Sequence, residues 1–154
     1  MLNKDALELL NNLVQISEDG KKGFSEAVDK AVKSELKIIF QRRLADCGSA
    51  VIELQRLVES IGGTAKDGGT VAGAARRGWP TLKAAVGDTD IALLEEIERA
   101  EDEAKAAYEK ALIVELPQQI RNVVRRQHAA TVCNHDLIRD LRDSYKAAKE
   151  SLSV

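Results

Sequence analysis

Apolar and small residues recur at alternating spacings of three and four along four separate stretches of this chain, and that period is the signature of one-faced helices. The first stripe is Leu10, Leu13, Ser17, Gly20, Phe24 and Ala27. The second is Leu36, Phe40, Leu44 or Arg43, Cys47, Val51, Leu54 and Val58. The third runs Leu94, Ile97, Glu101, Ala104, Tyr108 and Leu112. The fourth runs Ile120, Val124, Gln127, Thr131, Asn134, Ile138, Leu141 and Tyr145. Helices of this kind must cover their stripes against one another. The expectation is an all-α, four-helix bundle forming a single domain over residues 1–154.

Composition agrees with that class. Of 154 residues, 44% are apolar, enough for a real core, and only 3% are aromatic, which disfavours sheets. The formal net charge of -2 gives no pull towards nucleic acid or an anionic membrane surface. The N-terminus is interrupted by charged and amide residues, and no stretch is long enough to span a bilayer. Cys47 and Cys133 lie too far apart in sequence for a zinc cluster and suggest no disulfide framework. A soluble cytoplasmic protein is expected.

The helix limits follow from local chemistry. Asn3 can cap the first helix, and Asp5 suits its positive end. Gly20 and Gly23 each weaken that helix by roughly 1 kcal/mol relative to Ala. The stripe keeps its phase across them, so one unbroken helix is expected, with the glycines admitting a close neighbour. A short turn around residues 29–33 leads to a second helix from Ser34, which stops at Ile61-Gly62-Gly63. Residues 62–89 then interrupt the pattern. A hairpin between antiparallel helices needs only about 2–8 residues. This segment can run the length of the bundle, so that the third helix lies parallel to the second. A short helix around Trp79 to Val86, anchored by Trp79, is expected within it. The third helix begins near Asp88 or Asp90, and Pro117 opens the fourth. Four helices with a long second crossover resemble the ferritin-like plan.

The middle of the stripes turns polar. The fourth reads Gln127, Thr131, Asn134 at its centre, the third carries Glu101, and the second offers Gln41 and Arg43 at similar depth. Buried polar groups cost several kcal/mol unless paired. They are therefore expected to meet in one layer, with Arg43, Glu101, Tyr108, Gln127 and His135 as its candidates. Ferritin-like bundles hold metals at this level, using inward Glu and two Glu-x-x-His pairs. No Glu-x-x-His occurs here: the residues three before His128 and His135 are Arg125 and Val132. Glu18, Glu101, His135 and Asp136 are the remaining metal candidates, and an ion pair between Glu101 and Arg43 is the favoured alternative. No cofactor is expected; iron or another divalent metal stays open. Cys47 and Cys133 read as a small buried cysteine and its distant counterpart rather than as nucleophiles. GGTAKDGG lacks the Gly-Lys-Ser/Thr of a P-loop, and the basic patches at Arg76-Arg77 and at Arg121, Arg125 and Arg126 lack interleaved aromatics.

The turn at Leu57 to Gly63, the Arg77 to Lys83 crossover, Glu101 to Tyr108, and Leu116 through Arg139 together resemble a bacterial family of ferritin-like four-helix-bundle proteins carried as a domain of unknown function. The resemblance implies a ferritin-like bundle in a bacterial cytoplasm and supplies no activity. The expected function is that of a non-enzymatic, stress-related structural or interaction protein. It is expected to work as a homo-oligomer, a dimer, with an unidentified protein as a further partner and neither nucleic acid nor membrane. The alternative is a metal-binding or redox protein using the polar layer.

Overall fold

A computed structural model of the chain describes residues 4–64 and 89–152. Four α-helices occupy them: α1 (Lys4–Lys30), α2 (Ser34–Ser60), α3 (Thr89–Ile113) and α4 (Gln118–Leu152). No strand occurs among the described residues. The short helix expected around Trp79 to Val86, and the Asn3 cap, lie outside them.

Helix α1 is continuous through Gly20 and Gly23. Gly20 faces Cys47 so closely that an added Cβ would stand 2.8 Å from its Sγ. The glycine therefore lets α1 and α2 approach at that level, at the cost in helix propensity already noted. Helix α2 ends in a Schellman motif: Gly63 N–H bonds Val58 O and Gly62 N–H bonds Glu59 O, both at 3.0 Å. Gly62 adopts φ +85°, where a side chain would be strained.

The α1–α2 turn is capped from a distance. Lys33, at the N-cap of α2, makes no side-chain cap bond. Asp90, in the first turn of α3, accepts from Val32 N–H at 2.8 Å and from Lys33 N–H at 3.1 Å. At the α3–α4 connection, Arg121 donates to the carbonyls of Leu112 (2.9 Å) and Val114 (2.8 Å). A residue that reads as part of a basic patch thus closes a helix end.

Helix α1 packs against α2 and α3, and α3 packs against α4, while α2 and α4 meet chiefly through long side chains. Two apolar clusters fill the interior. One gathers Leu10, Leu13, Leu54, Val58, Ala111, Ile120 and Val124. The other gathers Phe24, Leu36, Phe40, Leu94, Ile97 and Ile138. Each buried Leu, Ile or Phe contributes roughly 1.5–3 kcal/mol of transfer free energy. The starts of α2 and α3 share the second cluster, so these two helices run in the same direction, and α1 and α4 run against them.

Of the two residues left open on α2, Arg43 turns inward and Leu44 is half-buried. Three other positions differ from the sequence expectation: Gln41, expected at the depth of the polar layer, is exposed, Ala111 rather than Leu112 is buried, and on the α4 stripe the polar-layer candidate His135 rather than Asn134 takes the inner position. Helical periodicity allows a step of three or four at each point, and the facing helix selects between them.

Candidate functional site

Between the two apolar clusters lies a layer of polar side chains. Arg43 on α2 is 8% exposed and Glu101 on α3 is 2% exposed. Arg43 Nη2 donates to Glu101 Oε1 at 3.0 Å, and Nη1 reaches Asp46 Oδ2 at 3.5 Å near the surface. The guanidinium carbon stands 5.3 Å from the Phe24 ring centre, within cation–π range. Arg43 is thus held by a carboxylate, a rim carboxylate and an aromatic face.

A second chain of bonds crosses from α3 to α2 through α4. Tyr108 Oη donates to Gln127 Oε1 at 2.9 Å, and Gln127 Nε2 donates to Glu53 Oε1 at 2.7 Å. Glu53 also pairs with Arg126. Thr131 Oγ1 donates back to the Gln127 carbonyl at 2.9 Å. This satisfies its hydroxyl inside the helix.

His135 is built into a separate set. Its Nε2 lies 2.7 Å from Asp102 Oδ1 and 3.9 Å from Glu98 Oε1, while Nδ1 lies 3.0 Å from Asp136 Oδ1. Neither ring nitrogen bonds Glu101. Glu98 is paired with Arg142, and Asp136 also contacts Arg139 at 3.4 Å. Glu18, the α1 metal candidate, sits beside Lys21 at 3.9 Å rather than in the layer. Among the described residues, no group of three or more His, Cys, Asp or Glu is arranged to hold a metal ion.

The layer does not fill its space. A cavity of about 240 Å³ opens within it. Its floor is formed by Ser17, Gly20 and Phe24 of α1 and by Ala100, Glu101, Ala104 and Tyr108 of α3. Asp46, Glu53, Arg126 and Ala130 line its outer part, along the seam between α2 and α4. Arg43 Nε and Glu101 Oε2 are buried without a hydrogen-bond partner among the described residues. Both residues line the cavity. The pair therefore makes one good bond where the two forks have geometry for two.

Burial dominates the electrostatics. It pushes the Glu101 carboxyl above its ordinary range, with Arg43 and then His135 pulling back. Burial, the largest single influence, lowers the pKa of Arg43, but the charge and hydrogen bond of Glu101 together with the nearby Cys47 and Asp46 outweigh it, and the net direction is upward. The Cys47 thiol is pushed up to about 12, chiefly by desolvation. Tyr108 is raised for the same reason, opposed by a hydrogen bond with Ser17. Asp136, at the surface, is lowered by its hydrogen bond with His135. Cys47 is therefore a protonated, weakly nucleophilic thiol at neutral pH. Cys133 is exposed on α4.

The family model described as "Domain of unknown function (DUF2383)" matches residues 5–113. This chain belongs to that family. The matched span includes Arg43, Glu101 and Tyr108, whereas Gln127 and His135 on α4 lie beyond it. No curated protein matches the chain. Within this DUF2383 member, three groups escape a reading of periodicity: the Asp90 cap, the Glu53 carboxylate that completes the Tyr108–Gln127 chain, and the cavity itself. The cavity had one sequence signal, the small side chains of Ala100, Ala104 and Ala130 around a buried ion pair. Small residues facing a polar layer leave volume that no neighbour fills.

Proposed function

We propose that this chain is a non-enzymatic, ferritin-like four-helix bundle that acts by binding, as a stress-related structural or interaction protein of a bacterial cytoplasm, working as a dimer. The observation that carries the reading is the Arg43–Glu101 pair. In ferritin-like di-metal proteins the inward carboxylates of the middle layer are neutralised by metal ions. Here a guanidinium at 3.0 Å supplies the counter-charge to the α3 carboxylate. The common direction of α2 and α3 supports the same plan, since a long crossover is what joins helices so arranged. The one thiol among the described lining residues, Cys47, is held protonated by burial, which argues against a cysteine nucleophile there. Ile38 and Ile52, exposed about four turns apart on α2, offer apolar surface for a second copy.

The deciding measurement is elemental analysis of protein purified without chelator or affinity metal and then incubated aerobically with ferrous iron. The expected result is no stoichiometric metal and no oxidation above the protein-free rate. Near-stoichiometric iron that disappears in Glu101→Gln would instead establish a metal-binding or redox protein centred on Glu101. Sedimentation of the native chain as a monomer would remove the dimer from the reading.

A further inference from the structure

The geometry points to the mid-bundle cavity as a binding site for a small neutral molecule that carries a carboxamide, or a cyclic amide or urea, on an apolar body. This rests on the reading of the chain as a binding protein and adds the class of ligand. Three observations converge. The cavity, about 240 Å³, has room for roughly eight waters at ~30 Å³ each, and so for a compact organic molecule. Two of its lining side chains, Arg43 and Glu101, are more than nine-tenths buried, and each has one polar atom with no protein partner among the described residues. Those atoms are a donor, Nε–H, and an acceptor, Oε2, carried by side chains already joined through Nη2 and Oε1.

That pattern selects the ligand's polar edge. An amide places a carbonyl acceptor beside an N–H donor. Both atoms are buried, so the two head groups must turn towards the cavity for a ligand to reach them; the carbonyl then takes Arg43 Nε–H while the N–H serves Glu101 Oε2, so one group completes both forks. The charges of Arg43 and Glu101 cancel, so a charged ligand would bring an unpaired ion into a desolvated site, which is strongly unfavourable. Phe24, Ile16, Ala100 and Ala104 provide an apolar wall for the rest of the molecule. Entry is along the α2–α4 seam, past Ala130, an exposed residue on its rim.

The test compares benzamide, benzoate and benzylamine, which share a ring and differ in the polar edge. The intact chain is titrated with each and followed by NMR of the Arg43 Nε–H and backbone amide signals. Benzamide is expected to saturate one site, shifting the Arg43 Nε–H resonance, and to bind at least tenfold more tightly than either charged analogue. Ala130→Phe, a change at an exposed rim position, should weaken benzamide at least tenfold without altering the melting temperature. Equal binding of the three probes, binding that survives Ala130→Phe unchanged, or no response at Arg43 Nε–H would each overturn the proposal. The iron experiment above separates the two readings. Iron uptake defeats the underlying one, whereas an iron-free chain that ignores benzamide defeats only this ligand class.

Discussion

At either end of the bundle, Leu10, Leu54 and Val124, or Phe24, Leu36 and Ile97, have no exposed surface, whereas the layer between them buries Arg43, Glu101, Tyr108 and Gln127. The ends are held by contacts without direction, each contributing in proportion to the area it hides. The middle is held by bonds that must meet at set distances, and a missed partner there costs more than a made bond contributes. The ends close tightly because branched side chains fill the space between helices. The middle stands open because charged head groups and alanines do not. A cavity of about 240 Å³ therefore lies in the layer that depends most on geometry.

The largest effect should come from splitting the central pair. Arg43→Met leaves Glu101 buried without its counter-charge and should cost about 3–5 kcal/mol in urea unfolding. Adding Glu101→Leu to that variant should restore most or all of the loss, because an apolar layer needs no partners. If the double variant is as unstable as the single one, the middle is not held by the pair. At an end, Leu94→Ala should cost about 3 kcal/mol, and no second substitution across the layer should rescue it. Asp90→Ala removes both bonds to the α1–α2 turn and should cost about 2 kcal/mol, with hydrogen exchange faster at Val32 and Lys33. The smallest effect is confined to alkaline pH. The Cys47 pKa rises from 9.0 unfolded to about 12 folded, so the thiol is protonated in both states below 9. Between 9 and 12 the unfolded chain releases a proton that the folded chain retains, and stability is lost as pH rises. Cys47→Ala should flatten the slope of stability against pH in that window relative to the parent.

Much of the architecture was legible from spacing because a helix pattern is local. The unbroken α1, the start of α2 at Ser34 and the Gly62 stop each depend on residues within a few positions of one another. The site was legible only as a set of residue types. Periodicity left Leu44 and Arg43 as equals, and the carboxylate of Glu101, on another helix, draws Arg43 inward. It favoured Asn134, but Asp102 and Glu98 on α3 face His135. Asp90 looked like an ordinary first-turn acid, and its real partners are 57 and 58 residues away.

The amino-acid sequence by itself determined the all-α class, the four stripes and the presence of polar residues at mid-height, because hydrophobic period and capping act over one or two turns. It also ruled out Glu-x-x-His, which is a matter of spacing alone. Only the tertiary structure decided which polar groups pair, which atoms of Arg43 and Glu101 go without a partner, and that a cavity lies beside them. Those outcomes depend on where four helices stand relative to one another, and that is set by how their side chains pack across the bundle rather than along the chain.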